Sequence, residues 1–455
     1  MVANLVSRSI DKVRALVGLD EVPPEKVLDN IRKQLHDCAE GLGGEVSARN
    51  RAARLAETYL RLDDGGRHAF LRIIALEFGP DPTRVAAAHE AYQLAVGSAA
   101  QWDAEAELRA AMRSRRIRIL TQFNAIPQGV KFLVDMRVDL LRFLREDKQL
   151  QALDRELQAR LSAWFDIGFL ELQRITWQSP AALLEKLVEY EAVHEIRSWQ
   201  DLKNRLDSDR RCYAFFHPRM PLEPLIFVEI ALIRGLAARV DSLLDESAPV
   251  LDSGRADTAI FYSISNTQVG LRGVSFGNFL LKWVIDDLQR DLPGLKTFST
   301  LSPIPSLRAW ASGNPERVSA AFDDRDWKRL GGIGIDGPGS TLLHELLDGD
   351  MQWHHDETLS DLLREPLSRL AADYLVNARK DGLPYDPVAR FHLGNGARIE
   401  RVNWLGDTSE KGLKQSWGLM VNYLYDPASI EANVDTFARE GRVARSGAVT
   451  RLARQ

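Results

Sequence analysis

Ser302 stands directly before Pro303 in the run Phe298-Ser299-Thr300-Leu301-Ser302-Pro303-Ile304-Pro305. Proline fixes its own φ and restricts the residue before it to extended backbone, so this hydroxyl is held rigidly at the end of a short strand. Strand ends are where α/β sheets carry their sites. Ser302 therefore reads either as a catalytic hydroxyl or as a plain Ser-Pro turn, and the side chain of Ser299 need not point the same way. His392, between Phe391 and Leu393 and just before Gly394-Asn395-Gly396, shares with His217 the most pocket-like setting among nine histidines. A neutral imidazole there can take or deliver a proton near neutral pH; equally, either ring can pack against a backbone carbonyl. No Gly-x-Ser-x-Gly elbow surrounds Ser302, so a serine-hydrolase reading is weak. His354 and His355 diverge on one backbone without a supporting HExxH or cysteine pair, so no metal site is expected.

A second chemical feature is Gln268-Val269-Gly270-Leu271-Arg272-Gly273. It follows an apolar, β-branched run at 260–264 and precedes an amphipathic helix expected over about 275–291. Small residues between a strand and a helix N-terminus let backbone N–H groups converge on an anion. The spacing matches neither G-x-G-x-x-G nor the Gly-Lys-Ser/Thr close of a triphosphate loop. It reads as a holder for a coenzyme pyrophosphate, with a structural turn as the alternative.

The elements that must position these residues divide the chain in two. Residues 1–190 read as a helical bundle suited to oligomerisation: apolar residues recur at helical intervals, as at Val27, Ile31, Leu35 and Cys38, and Gly/Pro clusters stop each run. Helices are expected over 103–121, 153–172 and 194–206, and Arg61, Arg67, Arg113, Arg115, Arg116 and Arg118 are expected to face solvent. Residues 191–455 read as a mixed α/β domain, with strands at 212–216, 225–232, 260–264, 296–301, 397–403 and 420–425. The hydrophobic fraction of 45% supports full cores, and 59 basic against 64 acidic residues give a formal charge of -5. That balance shows no general bias toward nucleic acid or anionic membranes, and no run is long enough to cross a bilayer. Cys38 and Cys212 lie far apart, which suits a reducing compartment. With no apolar leader and no C-terminal peroxisomal tripeptide, the expected location is cytoplasmic.

The blocks Tyr213-Ala214-Phe215-Phe216-His217-Pro218, Tyr262-Ser263-Ile264-Ser265, Gly270-Leu271-Arg272-Gly273-Val274, the Ser302 run, Phe391-His392-Leu393-Gly394-Asn395-Gly396-Ala397, Asn403-Trp404 and Gly418-Leu419-Met420 strongly resemble the malonyl-CoA decarboxylase family. The resemblance runs over most of the chain. It implies an α+β protein: a helical N-terminal domain, then a domain with the GCN5-related N-acetyltransferase-like fold that converts malonyl-CoA to acetyl-CoA and carbon dioxide. It maps the catalytic serine and histidine onto Ser302 and His392, with Tyr425 and Asn403 as second-rank candidates. It maps the coenzyme loop onto Gln268 and onto Arg272, Gly273, Val274, Ser275, Phe276, Gly277 and Asn278. Where mammalian members carry an acidic residue this chain has Ser275, so no carboxylate assists there. No cofactor is required, because the thioester carbonyl is itself the electron sink, and the family looks like one that assembles as a homo-oligomer, a dimer or tetramer. The rival readings are a CoA-dependent N-acyltransferase and a non-catalytic CoA-binding scaffold.

Overall fold

The structure, a computed structural model, describes residues 25–40, 44–274, 280–335, 337, 347 and 353–453. The readings made for 1–24, for Ser275, Phe276, Gly277 and Asn278, and for a helix over 340–346 lie outside the described residues. The chain forms two compact units. One comprises Met1–Leu170 with His217–Glu223 and Gln268–Ser275; the other comprises Glu171–Phe216, Pro224–Thr267 and Phe276–Gln455.

The first unit is helical because its apolar residues fall on one stripe per helix. Ile31, Leu35 and Cys38 of Glu25–Glu40 are buried, as are Leu133, Met136 and Leu140 of Gly129–Phe143 and Leu153, Leu157 and Leu161 of Gln151–Trp164. Each such side chain contributes roughly 1.5–3 kcal/mol of burial. The helix expected over 103–121 is two, Gln101–Ala111 and Arg116–Asn124, and the expected solvent-facing position of Arg116 is overturned. Arg116 is buried, donates to the Ala75 carbonyl and pairs with both oxygens of Glu156. Its aliphatic stem and bidentate partner make burial tolerable, which spacing alone does not reveal.

This unit also owns the glycine loop. Arg137, fully buried, donates through Nη1 to the carbonyls of Gly270 (2.9 Å) and Arg272 (2.7 Å) and through Nε to Asp154 (2.9 Å). Gln158 Nε2 donates to the Gly273 carbonyl at 2.8 Å. Only glycine fits at 270, because a Cβ there would lie 1.9 Å from the Val134 carbonyl oxygen. The loop is thus fastened by its oxygens.

The expected helix over 153–172 ends at Trp164, and Glu171–Ile175 is a strand of the second unit. The units therefore divide at 170/171, earlier than the boundary read at 190. The segment 171–175 adopts strand geometry because it finds the free edge of Arg210–Phe216, with Glu171 opposite Phe216. Helix Ala181–Tyr190 then lays Leu183, Leu184 and Leu187 on a core shared with Ile175, Cys212, Ala214 and Phe227. Of the helix expected over 194–206 only Trp199–Arg205 forms, capped by Ser198, whose hydroxyl accepts from the Asp201 N–H.

The strands of the second unit are β1 (Glu171–Ile175), β2 (Arg210–Phe216), β3 (Ile226–Ile233), β4 (Thr258–Asn266), β5 (Thr297–Thr300), β6 (Ser302–Pro303), β7 (Arg379–Lys380), β8 (Leu383–Pro384), β9 (Arg398–Asn403) and β10 (Met420–Tyr425). β7 and β8 pair with each other; the rest form one sheet in the order β1-β2-β3-β4-β5-β10-β6, with β9 also on β10. Among the named strands of the described residues only the β4–β5 neighbours run parallel, joined through helix Leu280–Asp291. The expected acetyltransferase-like mixed sheet after a helical region is therefore present. β10 is central to the site: it pairs with β5 through Leu424 and Tyr425, and with β6 through Met420 and Val421.

Candidate active site

Ser302 is not the last residue of a strand, as its sequence suggested. β5 stops at Thr300, Leu301 turns its N–H to the Phe261 carbonyl, and Ser302 begins β6 opposite Val421. His392 comes from the last turn of helix Pro387–Gly394, whose start is set by Pro387 at its first turn and by Asp386, which accepts from the N–H groups of Val388 and Ala389. Tyr425 comes from β10. The three meet in a row: His392 Nε2 lies 3.2 Å from Ser302 Oγ, and His392 Nδ1 lies 2.8 Å from the Tyr425 hydroxyl. The imidazole is stacked on Tyr423, with ring centroids 4.5 Å apart.

All of these groups are buried, and burial decides their protonation. It pulls the His392 pKa down from 6.5 to about 3, so the ring is neutral. It pushes the Tyr425 phenol well above 10, so that group keeps its hydrogen. A buried phenol must donate, and among the described residues its acceptor is His392 Nδ1. The single imidazole hydrogen then sits on Nε2 and points to Ser302 Oγ. The Ser302 hydrogen goes the other way, to Thr300 Oγ1 at 2.9 Å. The row has a direction, from Tyr425 through His392 and Ser302 to Thr300. It is the opposite of a nucleophile-and-base pair, in which serine would donate to the ring.

Ser302 and His392 open onto a cavity of about 220 Å³ whose wall includes Val193, Phe261, Ile264, Pro303, Val388 and Phe391. Its polar lining is Asn266, Ser302, His392 and Tyr262, and none of the described lining residues is charged. Tyr262 is the extra residue of a bulge: Glu229 of β3 faces Ser263 while Ile230 faces Phe261. A larger hollow of about 760 Å³ beside Trp283, Asp286, Asp287 and Arg290 is open and partly acidic, poorly suited to an anionic acyl group.

Two other candidates fall elsewhere. Asn403 does not reach the pair. Its Nδ2 donates to Asn422 Oδ1 at 2.9 Å, and Asn422 in turn donates to the carbonyls of Thr300 and Ala237, so Asn403 braces the strands behind the site. His217 is a turn histidine: its Nδ1 accepts from the Arg219 N–H and its Nε2 donates to the Trp164 carbonyl. Ser299 donates to the Tyr423 carbonyl inside the sheet. In the glycine loop, the N–H groups of Arg272 and Val274 are spent on the carbonyls of Val269 and Leu271, so neither is available to a pyrophosphate as the sequence suggested. The Arg272 guanidinium is exposed. Sequence reasoning missed Thr300, Tyr423 and Arg137. Thr300 and Tyr423 lie two residues before Ser302 and Tyr425, and strand periodicity was the available signal.

A helical unit, a mixed sheet, and a buried serine–histidine–tyrosine row opening on a small cavity define an α+β protein with an enzyme-like pocket. Residues 168–455 match the family described as malonyl-CoA decarboxylase C-terminal domain, and residues 78–165 match the N-terminal domain of the same family. The mitochondrial malonyl-CoA decarboxylase of the goose Anser anser anser is 38% identical over 395 residues, covering 83% of this chain and 78% of that protein. The mitochondrial enzyme of Rattus norvegicus is 39% identical over 334 residues, covering 71% and 68%. Crystal structures of malonyl-CoA decarboxylase from Rhodopseudomonas palustris and Agrobacterium vitis superpose with TM-scores of 0.83 and 0.82; each is 41% identical and covers 93% of this chain and 99% of the other. The chain belongs to the malonyl-CoA decarboxylase family. The cytoplasmic location expected from the cysteines and the missing leader is corrected by the same comparison, since the curated relatives from goose, rat and mouse are mitochondrial proteins. Two buried free thiols suit any reducing compartment, so they do not select the cytoplasm.

Proposed function

We propose that the chain decarboxylates malonyl-CoA with Ser302, His392 and Tyr425 acting on the malonyl group. Membership of the family brings the overall reaction, malonyl-CoA to acetyl-CoA and carbon dioxide. The observation that carries the assignment of roles is the donor direction of His392 Nε2 at the wall of a cavity with no charged side chain among its described lining residues.

Loss of carbon dioxide leaves the electron pair of the broken carbon–carbon bond in the thioester as an enolate. Catalysis requires a donor aimed at that oxygen and a proton for the carbon. His392 Nε2–H, which rests on Ser302 Oγ in the free site, supplies the first by extending to the thioester oxygen when substrate enters, the imidazole being neutral. The enolate, far more basic than a phenolate, then takes the Nε2 proton at carbon while Nδ1 takes that of Tyr425. The ring stays uncharged, the negative charge passes to the Tyr425 oxygen, and a proton from solvent neutralises it as acetyl-CoA leaves. Ser302 holds the imidazole by accepting from Nε2–H, and the malonyl carboxylate loses hydration on entering an apolar wall and regains stability only as neutral carbon dioxide. The coenzyme pyrophosphate is held at the glycine loop, with the Arg272 guanidinium as its cation. The helical unit serves assembly into a dimer or tetramer, which light scattering on the purified protein tests.

Incubation with malonyl-CoA and no amine yields equal amounts of carbon dioxide and acetyl-CoA. Loss of acyl-CoA only when an amine is added would instead make the chain an N-acyltransferase, and binding without turnover would make it a scaffold. Arg272→Ala raises KM for malonyl-CoA about tenfold, as expected for one charged hydrogen bond, while kcat stays within about twofold. A matching fall in kcat would move Arg272 from coenzyme binding to the reacting group.

A further inference from the structure

We infer that Thr300 is a positioning residue for the decarboxylation, keeping the Ser302 hydrogen off His392 so that the imidazole remains a donor toward substrate; this rests on the roles given above to Ser302 and His392. Thr300 closes β5 and is fully buried. Its Oγ1 accepts from Ser302 Oγ at 2.9 Å and from the Tyr423 N–H at 3.1 Å. Its carbonyl accepts from Asn422 Nδ2 at 2.8 Å, so backbone and side chain are held by different partners on β10. The Tyr423 N–H lies where β10 changes register against β9, between Asn422 and Tyr423. A ladder irregularity leaves a backbone donor to be satisfied by a side chain, and Thr300 is that acceptor. Thr300 does not line the cavity and acts through Ser302.

Without this oxygen the Ser302 hydrogen has one acceptor left in the row, His392 Nε2. If Nε2 accepts, the imidazole hydrogen must move to Nδ1, where it meets the Tyr425 hydroxyl and leaves that buried phenol without an acceptor. The conflict can be relieved only by disordering one end of the row. Either way Nε2 no longer presents a hydrogen to the thioester.

The test compares Thr300→Val with Thr300→Ser by steady-state kinetics on malonyl-CoA and by 15N NMR of imidazole-labelled protein. Valine keeps the shape and removes the acceptor; serine keeps the acceptor. The expected result for Thr300→Val is a fall in kcat of at least about tenfold with KM little changed, the scale of a mispositioned donor. Its His392 signals shift from the Nε2–H to the Nδ1–H pattern. Thr300→Ser retains most of the wild-type kcat and its tautomer. In a Ser302→Ala background, Thr300→Val adds no further loss, because the two act as one unit. Should the valine variant not fold, Thr300→Ala in the same comparison with serine carries the test. Wild-type kcat in Thr300→Val, or equal loss in valine and serine variants with an unmoved tautomer, overturns the inference. If Ser302→Ala alone has wild-type kcat, the catalytic reading of Ser302 falls instead; a slow Ser302→Ala beside a normal Thr300→Val rejects only the role of Thr300.

Discussion

His392→Asn lowers kcat for malonyl-CoA by about three orders of magnitude and leaves KM within a few-fold. Two losses combine: a donor aimed at the developing oxyanion, worth roughly 10²–10³, and a proton source for the carbon, worth roughly 10²–10⁴. The two are not additive, because one hydrogen on one nitrogen serves both, which is why the expected total is nearer a single factor than their product. The shorter asparagine amide neither reaches the oxyanion as Nε2 does nor passes a proton from Tyr425 to the substrate, so His392→Ala is about as slow. Steady-state rates with product analysis check both variants, and turnover at the wild-type level in either would remove His392 from the mechanism. The pH behaviour is a separate signature. Burial lowers the His392 pKa from 6.5 to about 3, so its ionisation contributes no break to kcat between pH 5 and 8. The unfolded chain binds this proton near pH 6.5 and the folded chain only near 3. Stability associated with the neutral ring is therefore complete above about 6.5 and declines as pH falls from there toward 3. His392→Asn loses less stability than wild type across that window, which thermal unfolding at stepped pH measures.

Ser302→Ala lowers kcat by about a hundredfold with coenzyme A affinity unchanged. The serine holds the imidazole in place, the task of one hydrogen bond in a buried site. Its hydrogen points to Thr300 and not to the ring, so it is not primed as a nucleophile. Intact mass spectrometry during turnover accordingly detects no acyl-enzyme. A burst of covalent adduct, or a Ser302→Ala variant that binds CoA as much more weakly as it turns over, would contradict this account. Because Ser302 and His392 share one row of hydrogen bonds, the double variant is expected to be little slower than His392→Asn alone.

The relation between Ser302 and Asn403 shows how far matching blocks reach. Both residues sit in blocks that resemble the family, and both are buried polar groups. Only one faces the cavity. Asn403 lies at the end of β9, and its partner Asn422 fastens the carbonyls of Thr300 and Ala237. Local sequence places a polar side chain on a strand; which side of the sheet carries the pocket depends on the neighbours of β10.

Ser302 and His392, which meet 3.2 Å apart across 90 positions of chain, came from the family resemblance, whereas the sequence by itself determined the periodicity of the helical unit and the strands around the site. Those features are local: apolar spacing, proline before or after a site, and glycine where backbones touch. Tertiary structure decided the rest. It turned 171–175 into an edge strand because β2 had an unpaired side, and it buried Arg116 because Glu156 was there to meet it. It fastened the loop at Gly270 and Arg272 to the helical unit through Arg137. It also set the tautomer of His392, since the direction of a row of hydrogen bonds is fixed by the one buried group that must donate. That group, Tyr425, is 33 residues away in sequence and 2.8 Å away in space.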